Sequence, residues 1–90
     1  MSTIIVDKMT PAQCRAARAL LNVTQTQLAR SAELGLSTVV DFELRRRRVS
    51  PEAIEAIRIA LERIGIEFID ANGGGEGVRL RAAQATRKRK

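Results

Sequence analysis

Apolar positions along this chain recur first with a helical period and then with a strand period. In PAQCRAARALLN, Cys14, Ala17 and Leu21 fall at i, i+3 and i+7, on one face of a helix. Thr10 is placed to cap that helix, Pro11 suits its first turn and Gln13 completes a capping box. Asn22 tolerates the left-handed backbone that often ends a helix. A second helix opens at TQTQ, where Thr24 and Gln27 repeat the box, and it turns Leu28, Ala29 and Ala32 inward. Leu34 and Gly35 fall in a tight break. A third helix spans 36–44, with Val39 and Phe42 inward. After a basic loop, Ser50 and Pro51 open a fourth helix whose apolar stripe is Ile54, Ile57, Leu61 and Ile64, and Gly65 stops it.

Beyond Gly65 the period falls to two. IEFID and VRLR alternate on either side of NGGGEG, which predicts a β-hairpin with Ile66 and Phe68 on one face, and with Val78 and Leu80 opposite Arg79 and Arg81. The glycines of that loop read as a turn rather than a phosphate cradle, because no Gly-Lys-Ser/Thr and no helix follow them. STIIVDK at the start suits a short strand or a frayed arm, and AAQATRKRK at the end suits a disordered basic tail. The expected organisation is an arm over 1–9, a helical domain over 10–65, a hairpin over 66–81 and a tail over 82–90. The fold class is mainly α, a four-helix bundle followed by a C-terminal β-hairpin.

Charge sharpens this picture. Residues 1–44 hold four basic and four acidic side chains, whereas residues 45–90 hold twelve basic and six acidic ones, so the whole net charge of +6 lies in the second half. Eight of those twelve form two runs, RRRR at 45–48 and RKRK at 87–90, which suit an acidic polymer or an anionic surface; solvated loop charge is the plainer alternative. Trp and Tyr are absent and Phe42 and Phe68 sit at core positions, so a stacking platform for single strands is not expected.

The same composition argues against catalysis. Histidine is absent, and the single cysteine, Cys14, reads as a small core residue within a helical stripe. No metal site, cofactor or enzyme activity is expected. No apolar run reaches transmembrane length, and TIIV is too short for a secretory core, so a cytoplasmic, nucleoid-associated protein without a membrane partner is the expectation.

Two short helices separated by a tight turn, within a compact bundle, form the helix-turn-helix arrangement, whose second helix enters the DNA major groove. QTQLARSAELGLSTVVDFE, preceded by RAARALLNVT and followed by SPEAIEAIRIAL, resembles the Cro and lambda-repressor type of helix-turn-helix domain, also called the xenobiotic-response-element family. The likeness covers about residues 10 to 65, and GIEFIDANGGGEGVRLR resembles a tail found on small stand-alone prokaryotic members. It implies packing roles for Leu28, Ala29, Leu34, Val39 and Phe42, and a partly buried charged pair between Arg18 and Glu43. It also implies that Gln25, at the start of the second helix with Thr26 beside it, contacts phosphate or a nearby base. The chain departs from the family pattern at Glu33, where the turn usually carries Gly, and at Gly35, where a capping Ser, Asn or Asp is usual. The expectation is that a left-handed Glu33 is strained and that the flexibility of the turn moves to Gly35.

With Val39 and Phe42 inward, Leu36, Ser37, Val40 and Asp41 face outward, with Thr38 at the edge. Leu36 and Val40 suit thymine methyls; Ser37 or Thr38 suits a base or a phosphate; Asp41 suits a cytosine amino group, or else orients an arginine. Arg45, Arg46, Arg47 and Arg48 follow directly and suit backbone phosphates. A homodimer is expected because one reading helix covers few base pairs, and the hairpin residues Ile66, Phe68, Val78 and Leu80 are its candidate interface. The expected function is a dimeric repressor on double-stranded DNA. The alternative is a protein-interaction module, an antitoxin or anti-activator, whose Leu36/Val40 patch meets a protein partner.

Overall fold

The computed structural model describes residues 9–71 and 73–81. Four helices, α1 (Pro11–Leu21), α2 (Gln25–Ala32), α3 (Leu36–Leu44) and α4 (Pro51–Ile64), precede two antiparallel strands, β1 (Ile66–Ile69) and β2 (Gly77–Leu80). The described part of the chain is thus mainly helical with a C-terminal hairpin. The expected N-terminal arm or short strand, apart from Met9, and the expected basic tail over 82–90 lie outside the described residues. Met9, the last residue of the expected arm, is buried in the core.

The helix ends form where local chemistry dictates. Thr10 and Thr24 each accept from the amide three residues on, and the Gln13 and Gln27 side chains return the bond to the cap backbone. Ser50 accepts from the Ala53 amide and Pro51 fills the first turn of α4. Gly65 ends α4 at φ 132, a backbone that side chains resist. There Arg81 covers the helix end, donating from its amide to Gly65 O at 2.8 Å and from Nη2 to Glu62 O and Ile66 O.

The core joins Cys14 and Ala17 of α1, Leu28 and Ala29 of α2, Val39 and Phe42 of α3, and Ile57, Ala60 and Leu61 of α4. Two members, Val49 and Ala60, are not among the expected apolar positions. Val49 stands alone in the basic loop yet is buried, which pins the far end of that loop to the bundle. Ala60 fills the stripe of α4, where Ile64 instead stays partly exposed at the helix end.

The hairpin is a wall of this core. Its register pairs Ile66 with Leu80, Glu67 with Arg79, Phe68 with Val78 and Ile69 with Gly77. Gln13 Nε2 donates to Gly77 O at 3.0 Å and, at 3.5 Å, to Ile69 O, so the start of α1 grips the hairpin at its turn end. Phe68 packs against the core and lies under the Arg58 guanidinium, 5.0 Å from the ring centre. Ile66 is 0% exposed within its own chain. It therefore belongs to the folded unit, and the expectation that it forms part of a dimer interface is corrected. Phe68 and Val78 also lean inward, whereas Leu80 remains 48% exposed.

Candidate nucleic-acid interface

α3 buries Val39, Phe42 and Glu43 and leaves the opposite side open. At a helical spacing of about 3.6 residues per turn, Ser37, Val40, Asp41 and Leu44 share that open side, with Leu36 and Thr38 flanking it. Ser37 and Leu36 are exposed, and Thr38, Val40 and Asp41 are partly so. Leu44, 57% exposed, extends the Leu36–Val40 strip by one further turn, a continuation the sequence reading did not include. Its spacing of four from Val40 was the available signal.

The turn before α3 differs from expectation in its geometry. Glu33 itself takes the left-handed backbone, φ 61 and ψ 43, and closes α2 by donating its amide to Arg30 O and Ala29 O. Gly35 is extended at φ −71 and ψ 149 and caps α3 with no side-chain bond. The expectation that flexibility moves to Gly35 is corrected: the left-handed position stays at Glu33, because the helix-ending bonds require it there.

The orientation of α3 is held from beneath. Arg18 donates from Nε to Glu43 Oε2 at 2.7 Å and from Nη2 to Oε1 at 2.8 Å, a two-bond clamp between α1 and α3. Cys14 Sγ and Gln25 Nε2 each add a bond to the same carboxylate at 3.0 Å, and Arg15 Nη1 donates to the Glu43 carbonyl. Burial opposes the Glu43 charge, but the bonds from Arg18, Cys14 and Gln25 outweigh it and hold the carboxyl below its ordinary range. Burial, then the neighbouring Glu43, pushes the Cys14 thiol well above its usual range, so it stays protonated.

This network redefines Gln25. The amide nitrogen of its side chain is committed to Glu43, so Gln25 links α2 to the clamp as well as standing at the helix start. The first-turn amides of Gln25 and Thr26 are among those that no carbonyl of their own helix can reach. Beside Gln25 lies an open cleft of about 450 Å³ lined also by Arg15, Arg18, Asn22 and Thr24. Thr26 is exposed at this end.

The arginine run begins at the other end of α3. Arg45 is left-handed at φ 55; its amide meets Phe42 O and the Arg46 amide meets Asp41 O at 2.9 Å, a turn that folds the chain back on the helix. Arg47 Nε thereby reaches Asp41 Oδ2 at 2.6 Å, and Arg46 Nη1 lies 4.0 Å from Oδ1. Of the two roles expected for Asp41, its contact here is that of an arginine-orienting group. All four arginines are exposed, between this turn and buried Val49.

The structure thus brings together Leu36, Ser37, Thr38, Val40, Asp41 and the four arginines on and beside one helix. It places Gln25 and Thr26 at the start of the helix before it. Among the described residues no cluster of His, Cys, Asp or Glu is arranged to hold a metal, and no helix is long and apolar enough to cross a membrane. No family model and no curated protein matches this chain.

Proposed function

We propose that this chain is a sequence-specific double-stranded DNA-binding regulator of the Cro and lambda-repressor-like helix-turn-helix type, acting as a homodimer, with α3 in the major groove. One observation carries the reading: an exposed helical face of mixed apolar and polar groups ends directly in four exposed arginines, two of which, Arg46 and Arg47, are drawn to Asp41 of that face. Apolar Leu36 and Val40 match thymine methyls, Ser37 and Thr38 match bases or phosphates, and the arginines and the α2 start match the flanking backbone. A dimer doubles the number of base pairs read, and repression by occupancy of a promoter is the simplest consequence.

The test is fluorescence anisotropy with DNA from upstream of the gene and with a shuffled control, at low and near-physiological salt. Preference for the native fragment that survives salt supports the reading. Equal binding that vanishes with salt leaves only phosphate attraction. The Leu36–Val40–Leu44 strip favours a second reading, an interaction module whose α3 face meets a protein; its binding would be insensitive to salt.

A further inference from the structure

We infer that Asp41 is a specificity-determining residue that acts by competing with DNA phosphate for Arg47 and Arg46. The inference rests on the DNA-binding reading above and deepens it.

α3 carries two acids. Glu43 is buried and held by Arg18, Cys14 and Gln25, which leaves Asp41 as the acid on the exposed side. The left-handed turn at Arg45 returns the chain so that Arg47 makes a 2.6 Å charge-assisted bond to Asp41, with Arg46 at 4.0 Å. A carboxylate and a phosphate offer a guanidinium the same chemistry, paired anionic oxygens. Asp41 therefore occupies, in the free protein, the place a backbone phosphate would take on Arg47 Nε, with Arg46 at ion-pair distance beside it.

Two consequences follow. A phosphate that captures Arg47 through Nε must displace Asp41, so at that atom the gain on any arbitrary duplex is only the difference between two similar contacts. The displaced carboxylate then faces the groove next to a polyanion, which is unfavourable unless a donor meets it. In the major groove the cytosine amino group is such a donor. The arginines are thus released most readily where a cytosine lies under Asp41, and a sequence-blind grip becomes conditional on a base.

The test compares the full-length protein with Asp41→Asn and with Glu55→Gln, which removes an equal charge from the exposed side of α4. Binding to a random-sequence duplex is followed against potassium chloride, with elution from immobilised heparin in parallel. Asp41→Asn is expected to steepen the log–log salt slope by about 0.9 for each arginine released, so by about 1 to 2. It is also expected to elute later from heparin than Glu55→Gln and to lose preference for one cytosine in any selected site. In an Arg46→Ala/Arg47→Ala background the Asp41→Asn effect is expected to vanish. An unchanged slope, equal effects of Asp41→Asn and Glu55→Gln, or persistence of the effect without the two arginines overturns the inference. If the wild-type chain binds no duplex, the DNA reading fails by itself, and the heparin comparison still decides whether Asp41 restrains the arginines.

Discussion

Arg18 of α1 closes on Glu43 of α3 with two bonds, 2.7 and 2.8 Å long, around a carboxylate that is 1% exposed. The pair links α1 to the buried side of α3, beside Val39 and Phe42, and so helps set which of its residues face outward. Removing Arg18 leaves a buried charge with only Cys14 and Gln25 as side-chain partners. Arg18→Leu is expected to cost about 3 kcal/mol in urea unfolding, and Arg18→Leu/Glu43→Leu to recover much of that. A double variant as unstable as the sum of the singles would contradict the clamp.

The same carboxylate sets an acid limit. Its folded pKa is depressed below the ordinary value of 4.5 by Arg18, Cys14 and Gln25 acting together against burial. A depressed folded value means the unfolded chain binds the proton first, so the stabilisation is complete above about pH 4.5 and is lost as pH falls through the folded value. Melting temperature measured from pH 7 downward is expected to drop in that acid window, and Glu43→Gln to flatten the drop. An unchanged acid limb in Glu43→Gln would place the sensitivity elsewhere.

Glu33 occupies a left-handed backbone that favours glycine. Glu33→Gly is expected to raise stability by about 0.5–1 kcal/mol, since relief of strain outweighs the added freedom of the unfolded chain. Gly35→Asn is expected to add a few tenths more by supplying the cap that α3 lacks; its Cβ would meet only Ser37 Oγ, at 4.0 Å. Thermal denaturation reads both, and a loss of stability in Glu33→Gly would reveal a contribution from the Glu33 side chain.

In the proposed homodimer the hairpin separates folding from association, with Ile66 buried and Leu80 exposed. Ile66→Ala is expected to cost about 2–4 kcal/mol at any protein concentration, because it opens a cavity inside one chain. Leu80→Lys is expected to leave the unfolding free energy of the protomer within about 0.5 kcal/mol while weakening a hairpin-mediated dimer in sedimentation. A dimer unaffected by Leu80→Lys would move the interface away from this face.

How legible all this was depended on the range of the interaction. The caps at Thr10, Thr24 and Ser50 and the stops at Asn22 and Gly65 lie within four residues of their partners, so sequence alone predicts them. The Arg18–Glu43 pair spans 25 residues and was reached only through the family resemblance. The commitment of Gln25 to that pair, the burial of Val49 and the inward seat of Ile66 depend on which element covers which. A period of two marks a strand but does not name what lies against it. For Glu33 the family resemblance marked the left-handed position, but the expectation moved the flexibility to Gly35, whereas the helix-ending bonds fix the left-handed residue by position rather than by type.

In the proposed complex, α3 and its arginines read a DNA sequence as a two-fold pair. Selection from a random duplex pool tests it most directly. The account predicts an enriched two-fold-symmetric motif with half-sites about one helical turn apart, roughly 10 base pairs centre to centre, and its loss in Val40→Glu. A pool that stays random while the folded protein retains it only at low salt would contradict the account.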